Sequence, residues 1–112
     1  MGMELNGYKH DKFFIVKVSG RMDATTAPQF EKSCLEWVQQ GESTFVVDLE
    51  GLEYMSSAGL RSILVVGKRL KSTGGSLSFS SLTANVAHVF SISSFGSMFT
   101  VHDSLDKALG KS

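Results

Sequence analysis

Two adjacent serines, Ser56 and Ser57, stand between the apolar, acid-punctuated run FVVDLEGLE (45–53) and LRSILVVGKRL (60–70), whose apolar residues recur at helical spacing. A hydroxyl placed where a strand gives way to a helix has three uses: nucleophile, helix cap or phosphate acceptor. The nucleophile elbow of serine hydrolases follows G-x-S-x-G, and centred on Ser57 that pattern breaks at Met55. A triad would also need an oriented histidine. His10, His88 and His102 fall in a hairpin turn, inside a helical run and at a strand end, so nothing in the spacing assembles one. Gly67-Lys68 lies inside a helical run and not in a glycine-rich loop before a helix, so no phosphate-cradling loop is read. The His, Cys and carboxylate residues are scattered, which gives no metal pattern. Cys34 is the single cysteine; it excludes an internal disulfide and is expected to be a buried, reduced thiol. The expectation is a protein with no catalytic residues, no metal and no cofactor.

What remains is a hydroxyl at a helix N-terminus, where unpaired N–H groups and the positive end of the dipole meet. Either serine would serve as a cap, worth about 1 kcal/mol. Capping alone does not account for the run of small residues Ser56, Ser57, Ala58 and Gly59, which would leave the helix end open to a partner. A phosphate on Ser57 would sit over N–H groups able to hold it, so the fold should survive the added charge while a docked partner would not. Arg61, in the first turn of this helix, opposes the dipole and so reads as a contact for an acidic partner or a phosphate, or as a solvated surface cation. A second loop, GRMDATTAP (20–28), carries Asp23 and Thr25; an acid before two threonines is equally a turn device and a partner contact. Met98 and Phe99 are expected in the core, and Trp37 and Phe95 are left open between core and surface.

These residues need elements to hold them. Residues 3–9 and 13–20 read as strands of a hairpin, being rich in aromatic and β-branched types around the polar His10-Asp11-Lys12. Helical spacing follows, with Phe30, Cys34, Leu35 and Val38 on one stripe, Thr25 or Thr26 as cap, Pro28 in the first turn and Gly41 as the stop. Residues 43–49 form an apolar strand at the centre of the sheet, covered on both faces. A helix runs from Ser57 to about Ser72, a strand over 76–80, a shorter helix through Val86, Val89 and Phe90, a loop SISSFGS (91–97), a strand over 98–102 and a last helix opened by Asp103 or Ser104. The order β-β-α-β-α-β-α-β-α, with about four helices, predicts an α/β domain spanning 1–112 whose sheet is mostly parallel with one antiparallel hairpin strand. In such sheets partners gather at the loops beyond the strands' carboxyl ends, where both the serine run and the Asp23 loop fall. Lys and Arg equal Asp and Glu at 11 each, so no field draws the chain to nucleic acid or an anionic membrane. No apolar run approaches the roughly 20 residues of a spanning helix, and a cytoplasmic protein is expected.

GRMDATTAP, FVVDLEGLEYMSSAGLRSIL and FTVHDSLDKAL (99–109), in this order and spacing, resemble the STAS domain of bacterial anti-sigma-factor antagonists from about residue 4 to 109. The resemblance implies a single STAS domain that binds an anti-sigma factor which is also a serine kinase, so freeing the sigma factor. Phosphorylation of one serine at the helix start switches it off, and a serine phosphatase restores it. Carried over by register, the acceptor falls on Ser57, with Ser56 as its rival, and the partner-facing loop acid falls on Asp23. Thr25, Ser56, Ser57, Ala58, Gly59 and Arg61 complete the expected partner surface. Asp48 and Leu49 match the family's strand-end pair, and Gly59 and Leu60 the start of its helix. The family often has Asp-Ser before Ser-Gly or Thr-Gly; here Ser56 replaces that Asp and Ala58 the following hydroxyl. The resemblance also admits other regulatory roles: small-molecule sensing, a stress-complex scaffold or a transporter accessory subunit. A monomer or weak homodimer is expected.

Overall fold

A computed structural model describes residues 2–111. The chain opens with a hairpin of β1 (Met3–His10) and β2 (Phe13–Met22), joined through Asp11-Lys12. Asp11 sits at φ 53°, a left-handed position that its short polar side chain tolerates. Next come α1 (Ala27–Gln39), β3 (Thr44–Met55), α2 (Ser57–Ser72), β4 (Ser76–Ser80), α3 (Ala84–Ile92), α4 (Phe95–Met98), β5 (Thr100–His102) and α5 (Leu105–Ala108). The strands lie in the order β1-β2-β3-β4-β5. Among the described residues only the β1–β2 pair is antiparallel; β2–β3, β3–β4 and β4–β5 are parallel, as crossovers through helices require. The predicted α/β architecture and the central place of the third strand both stand.

The core lies between one face of the sheet and α1 to α4. Phe14, Val16 and Val18 of β2, Phe45, Val47 and Leu49 of β3 and Phe79 of β4 meet Phe30 and Cys34 of α1, Ile63, Val66 and Leu70 of α2, and Val86 and Phe90 of α3. On the opposite face Ile15 and Val46, register partners, are also buried, and α5 packs there on β3 and β4. Both faces of β3 are therefore covered, which is why its middle is apolar without alternation.

Several boundaries differ from the sequence reading. Residues 50–55, expected in a loop, continue β3 to Met55, and β2 runs on to Met22. The period-2 signal fails there because register shifts interrupt the pairing between Lys17 and Ser19 and between Gly20 and Arg21. Burial of Leu52 and Met55 holds the extension in place. The described residues form five helices where about four were expected: the Gly- and Ser-rich 91–97 contains the end of α3 and the start of α4. Phe95 overrides that composition by joining an aromatic cluster, 5.6 Å from Phe90 and 5.5 Å from Phe99 between ring centroids. Phe99 enters the same cluster against Phe79, whereas Met98 is 55% exposed and not core as expected. Trp37 is half-buried, stacked at a tilt on Phe14 at 4.9 Å.

Cys34 is fully buried, and removal from water pushes its thiol well above the usual value, to about 12. Its stabilising contribution is complete below about pH 9 and falls as pH rises, because the unfolded chain then sheds the proton that the folded one keeps. Up to about 1.4 kcal/mol is lost per pH unit above that point. Urea unfolding of the wild type between pH 8 and pH 11 is expected to show this slope, and Cys34→Ala, which cannot ionise, to lack that component.

Candidate functional site

β2 and β3 are parallel neighbours, so their carboxyl ends emerge side by side. The Ser56 N–H donates to the Met22 carbonyl at 2.9 Å and ties the two ends together. A single residue, Ser56, separates β3 from α2; its backbone is extended (φ −97°, ψ 176°) and its carbonyl accepts from Leu60 N–H at 3.1 Å. Ser57 is the first residue of the helix.

The two serines have different surroundings. Ser57 is exposed. Ser56 Oγ is buried and has no hydrogen-bond partner among the described residues. Neither serine caps: α2 has no side-chain cap and no acid in its first turn, which corrects the expected cap role. The helix thus presents its first N–H groups, and the positive end of its dipole, without a compensating side chain.

Gly59 is buried, and its smallness serves packing, not a landing surface as the sequence suggested. A Cβ there would lie 2.9 Å from Met55 Cγ and 3.1 Å from Met22 Sδ. Glycine lets the first turn of α2 sit directly on the ends of β2 and β3. Ala58 is half-buried against the core. Arg61 is exposed, and its side chain makes no hydrogen bond or ion pair among the described residues.

Beside this helix end lies the turn from β2 to α1. Asp23 Oδ1 accepts from Thr25 Oγ1 at 2.6 Å, Thr25 N–H at 2.9 Å and Thr26 N–H at 3.3 Å. Thr26 occupies the N-cap position of α1 but does not cap with its side chain; its Oγ1 accepts from Asp23 N–H at 2.9 Å and donates to the Arg21 carbonyl at 2.8 Å. Asp23 is therefore the turn device that the sequence offered as one of two roles. The Thr25 hydroxyl, then the Thr25 N–H, hold its carboxyl below the usual carboxylate range. Among the described residues no protein group bonds its Oδ2.

Sequence reading missed Arg21, whose guanidinium stacks on the exposed Tyr54 ring at 4.2 Å from its centroid. The pair forms through the register Arg21↔Tyr54, which exists only after the bulges and so leaves no local signal. Asp48 is not at a strand end as the matched pair suggested: it lies mid-strand, buried, accepting from Ser80 Oγ at 2.8 Å. Among the described residues no histidine hydrogen-bonds either serine, and no His, Cys, Asp and Glu cluster could hold a metal. A depression of about 600 Å³ opens elsewhere, along β1 to β3 near Glu4, Lys17 and Asp48, and neither serine lines it.

The sheet has parallel strands β2 to β5 and an antiparallel β1, and a helix without a side-chain cap starts with the two serines beyond β3. The chain belongs to the STAS domain family, whose model matches residues 4–108. It is 39% identical over 106 residues to BtrV, a candidate anti-sigma factor antagonist of Bordetella bronchiseptica, with 95% of this chain and 91% of that one covered. An anti-sigma factor antagonist of Mycobacterium paratuberculosis superposes with a TM-score of 0.89 at 24% identity, covering 97% and 92% of the two chains. The Bacillus cell fate determinant SpoIIAA in its phosphorylated form superposes with a TM-score of 0.75 at 18% identity over 97% of each chain.

Two outcomes test this geometry. In a carbon-13 NMR titration the Asp23 carboxyl should titrate below its ordinary value, and Thr25→Ala should move it upward. Gly59→Val forces a branched side chain onto Met22 and Met55 and should cost about 1–3 kcal/mol in urea unfolding.

Proposed function

We propose that this protein is an anti-sigma-factor antagonist that works by partner switching in the cytoplasm, with no catalytic activity of its own. Its unphosphorylated form docks on an anti-sigma factor that is also a serine kinase and so releases the sigma factor. The surface it offers is the exposed part of the joint at the ends of β2 and β3: Asp23, Thr25, Ser57, the outer edge of Ala58 and Arg61. The kinase then passes the γ-phosphoryl group of ATP to Ser57 Oγ; the bond to ADP breaks, and the hydroxyl proton goes to a base on the kinase. A serine phosphatase reverses the step by hydrolysis.

The observation that carries this reading is the contrast between the serines: Ser57 is exposed at the bare N-terminus of a 16-residue helix, while Ser56 Oγ is buried. The replacement of the family's usual Asp by Ser56 therefore does not create an equal acceptor. Likeness to antagonists along nearly the whole chain, and a structural neighbour seen in a phosphorylated form, support it. A phosphate over open N–H groups is stabilised where it stands, so the fold persists. The same phosphate in a docked interface is bulky and must lose its water, so the complex does not.

The test is to incubate the protein with its cognate kinase and ATP and locate the phosphate by mass spectrometry. Modification of Ser57 is expected, and Ser57→Ala should stay unmodified and bound; phosphate on neither serine rejects the switch. Ser57→Asp should weaken kinase binding about tenfold or more, a loss of at least about 1.4 kcal/mol. Its melting temperature should stay within about 3 °C of wild type, as for an exposed substitution.

A further inference from the structure

We infer that Arg61 closes over the phosphate on Ser57 as its charge partner, so that phosphorylation also withdraws this cation from the docking surface. The inference rests on Ser57 as the acceptor and adds what happens to the phosphate once it is there. Ser57 and Arg61 are four residues apart on α2, hence on one face and one turn apart, with Cβ atoms about 5–6 Å from each other. Helical side chains lean toward the N-terminus, so the surface that Arg61 covers is the turn carrying Ser57. Both residues are exposed. The negative group lies on the N-terminal side of the pair, the favourable order for such pairs.

Nothing else claims this guanidinium. Arg61 makes no ion pair among the described residues, and the first turn of α2 holds no acid to neutralise it. In the unmodified protein it stands at the positive end of a helix dipole, where a cation is disfavoured. A phosphoserine brings a charge of about −1.5 to −2 and three acceptor oxygens to the same turn, matching the guanidinium's planar fork. The other charged groups at this end of the sheet are differently engaged or of the wrong sign. Arg21 is stacked on Tyr54, Asp23 is held by Thr25, and Glu53 is an acid. Free, Arg61 faces the partner; phosphorylated, it turns to Ser57. The switch then removes an attractive contact as well as adding a repulsive one.

The test uses the whole chain with phosphoserine inserted at position 57 during translation, so that no kinase is needed. Phosphorus-31 NMR at low salt follows the second ionisation of the phosphate. With Arg61 closed over it, that pKa should lie below the ordinary value of about 6. Arg61→Ala should raise it by about 0.3–0.7 of a pH unit, the size of an exposed ion pair. Arg61→Lys should recover part of the shift, and Arg21→Ala should leave it unchanged. An Arg61→Ala value equal to the parent's overturns the inference, as does an equal shift from Arg21→Ala, which would mark a general field and not a pair. Failure here leaves Ser57 as the acceptor untouched, whereas failure of the kinase reaction leaves the Arg61 pairing intact but without its physiological trigger.

Discussion

The hydrogen bond from Ser56 N–H to the Met22 carbonyl is the constraint on which the site depends. It joins the carboxyl ends of two parallel strands at the point where one becomes a helix. With only Ser56 between β3 and α2, there is no slack for the helix to choose another direction. Gly59 then seats the first turn on Met22 and Met55, and the helix start is fixed relative to the Asp23 turn. Two separate loops are thereby held side by side, and for the docking proposed above such preorganisation would keep the entropy lost on binding small.

That rigidity is combined with an electrostatic vacancy. Helices usually receive an N-cap or an acid in the first turn; α2 has neither and carries Arg61 instead. Positive potential is thus left exposed at the spot where a hydroxyl is also exposed. Ser56 Oγ beside it is buried and has no hydrogen-bond partner among the described residues. The core is continuous from β2 to β4, and the Phe79, Phe90, Phe95 and Phe99 cluster pins the α3–α4–β5 segment at the far edge.

Much of the architecture was legible in the chain, because apolar spacing changes with each element and the order of those changes leaves few topologies. The stripe Phe30, Cys34, Val38 and the alternation within SLSFS have one physical reading each. The second halves of β2 and β3 were not legible, since bulges erase the alternation where Ser19 passes Gly51 and Arg21 meets Tyr54. The helix α4 was hidden for a different reason: a composition of Gly and Ser says loop, and one buried ring, Phe95, decides otherwise.

The same division holds for the site. Sequence alone placed two serines at a helix start beyond a sheet strand, set Asp23 in the neighbouring loop and offered no triad, phosphate-loop or metal pattern, because each needs residue types at spacings that can be read along a chain. It favoured Ser57 over Ser56 by register alone and could not show that Ser56 Oγ is buried while Ser57 is exposed, nor find that Gly59 faces inward, nor pair Arg21 with Tyr54. Those outcomes depend on which way a residue points once strand and helix are packed together. A backbone that turns from extended to helical within one residue buries Ser56 Oγ and exposes Ser57, and the packing of Gly59 on Met22 and Met55 seats that turn on the strand ends.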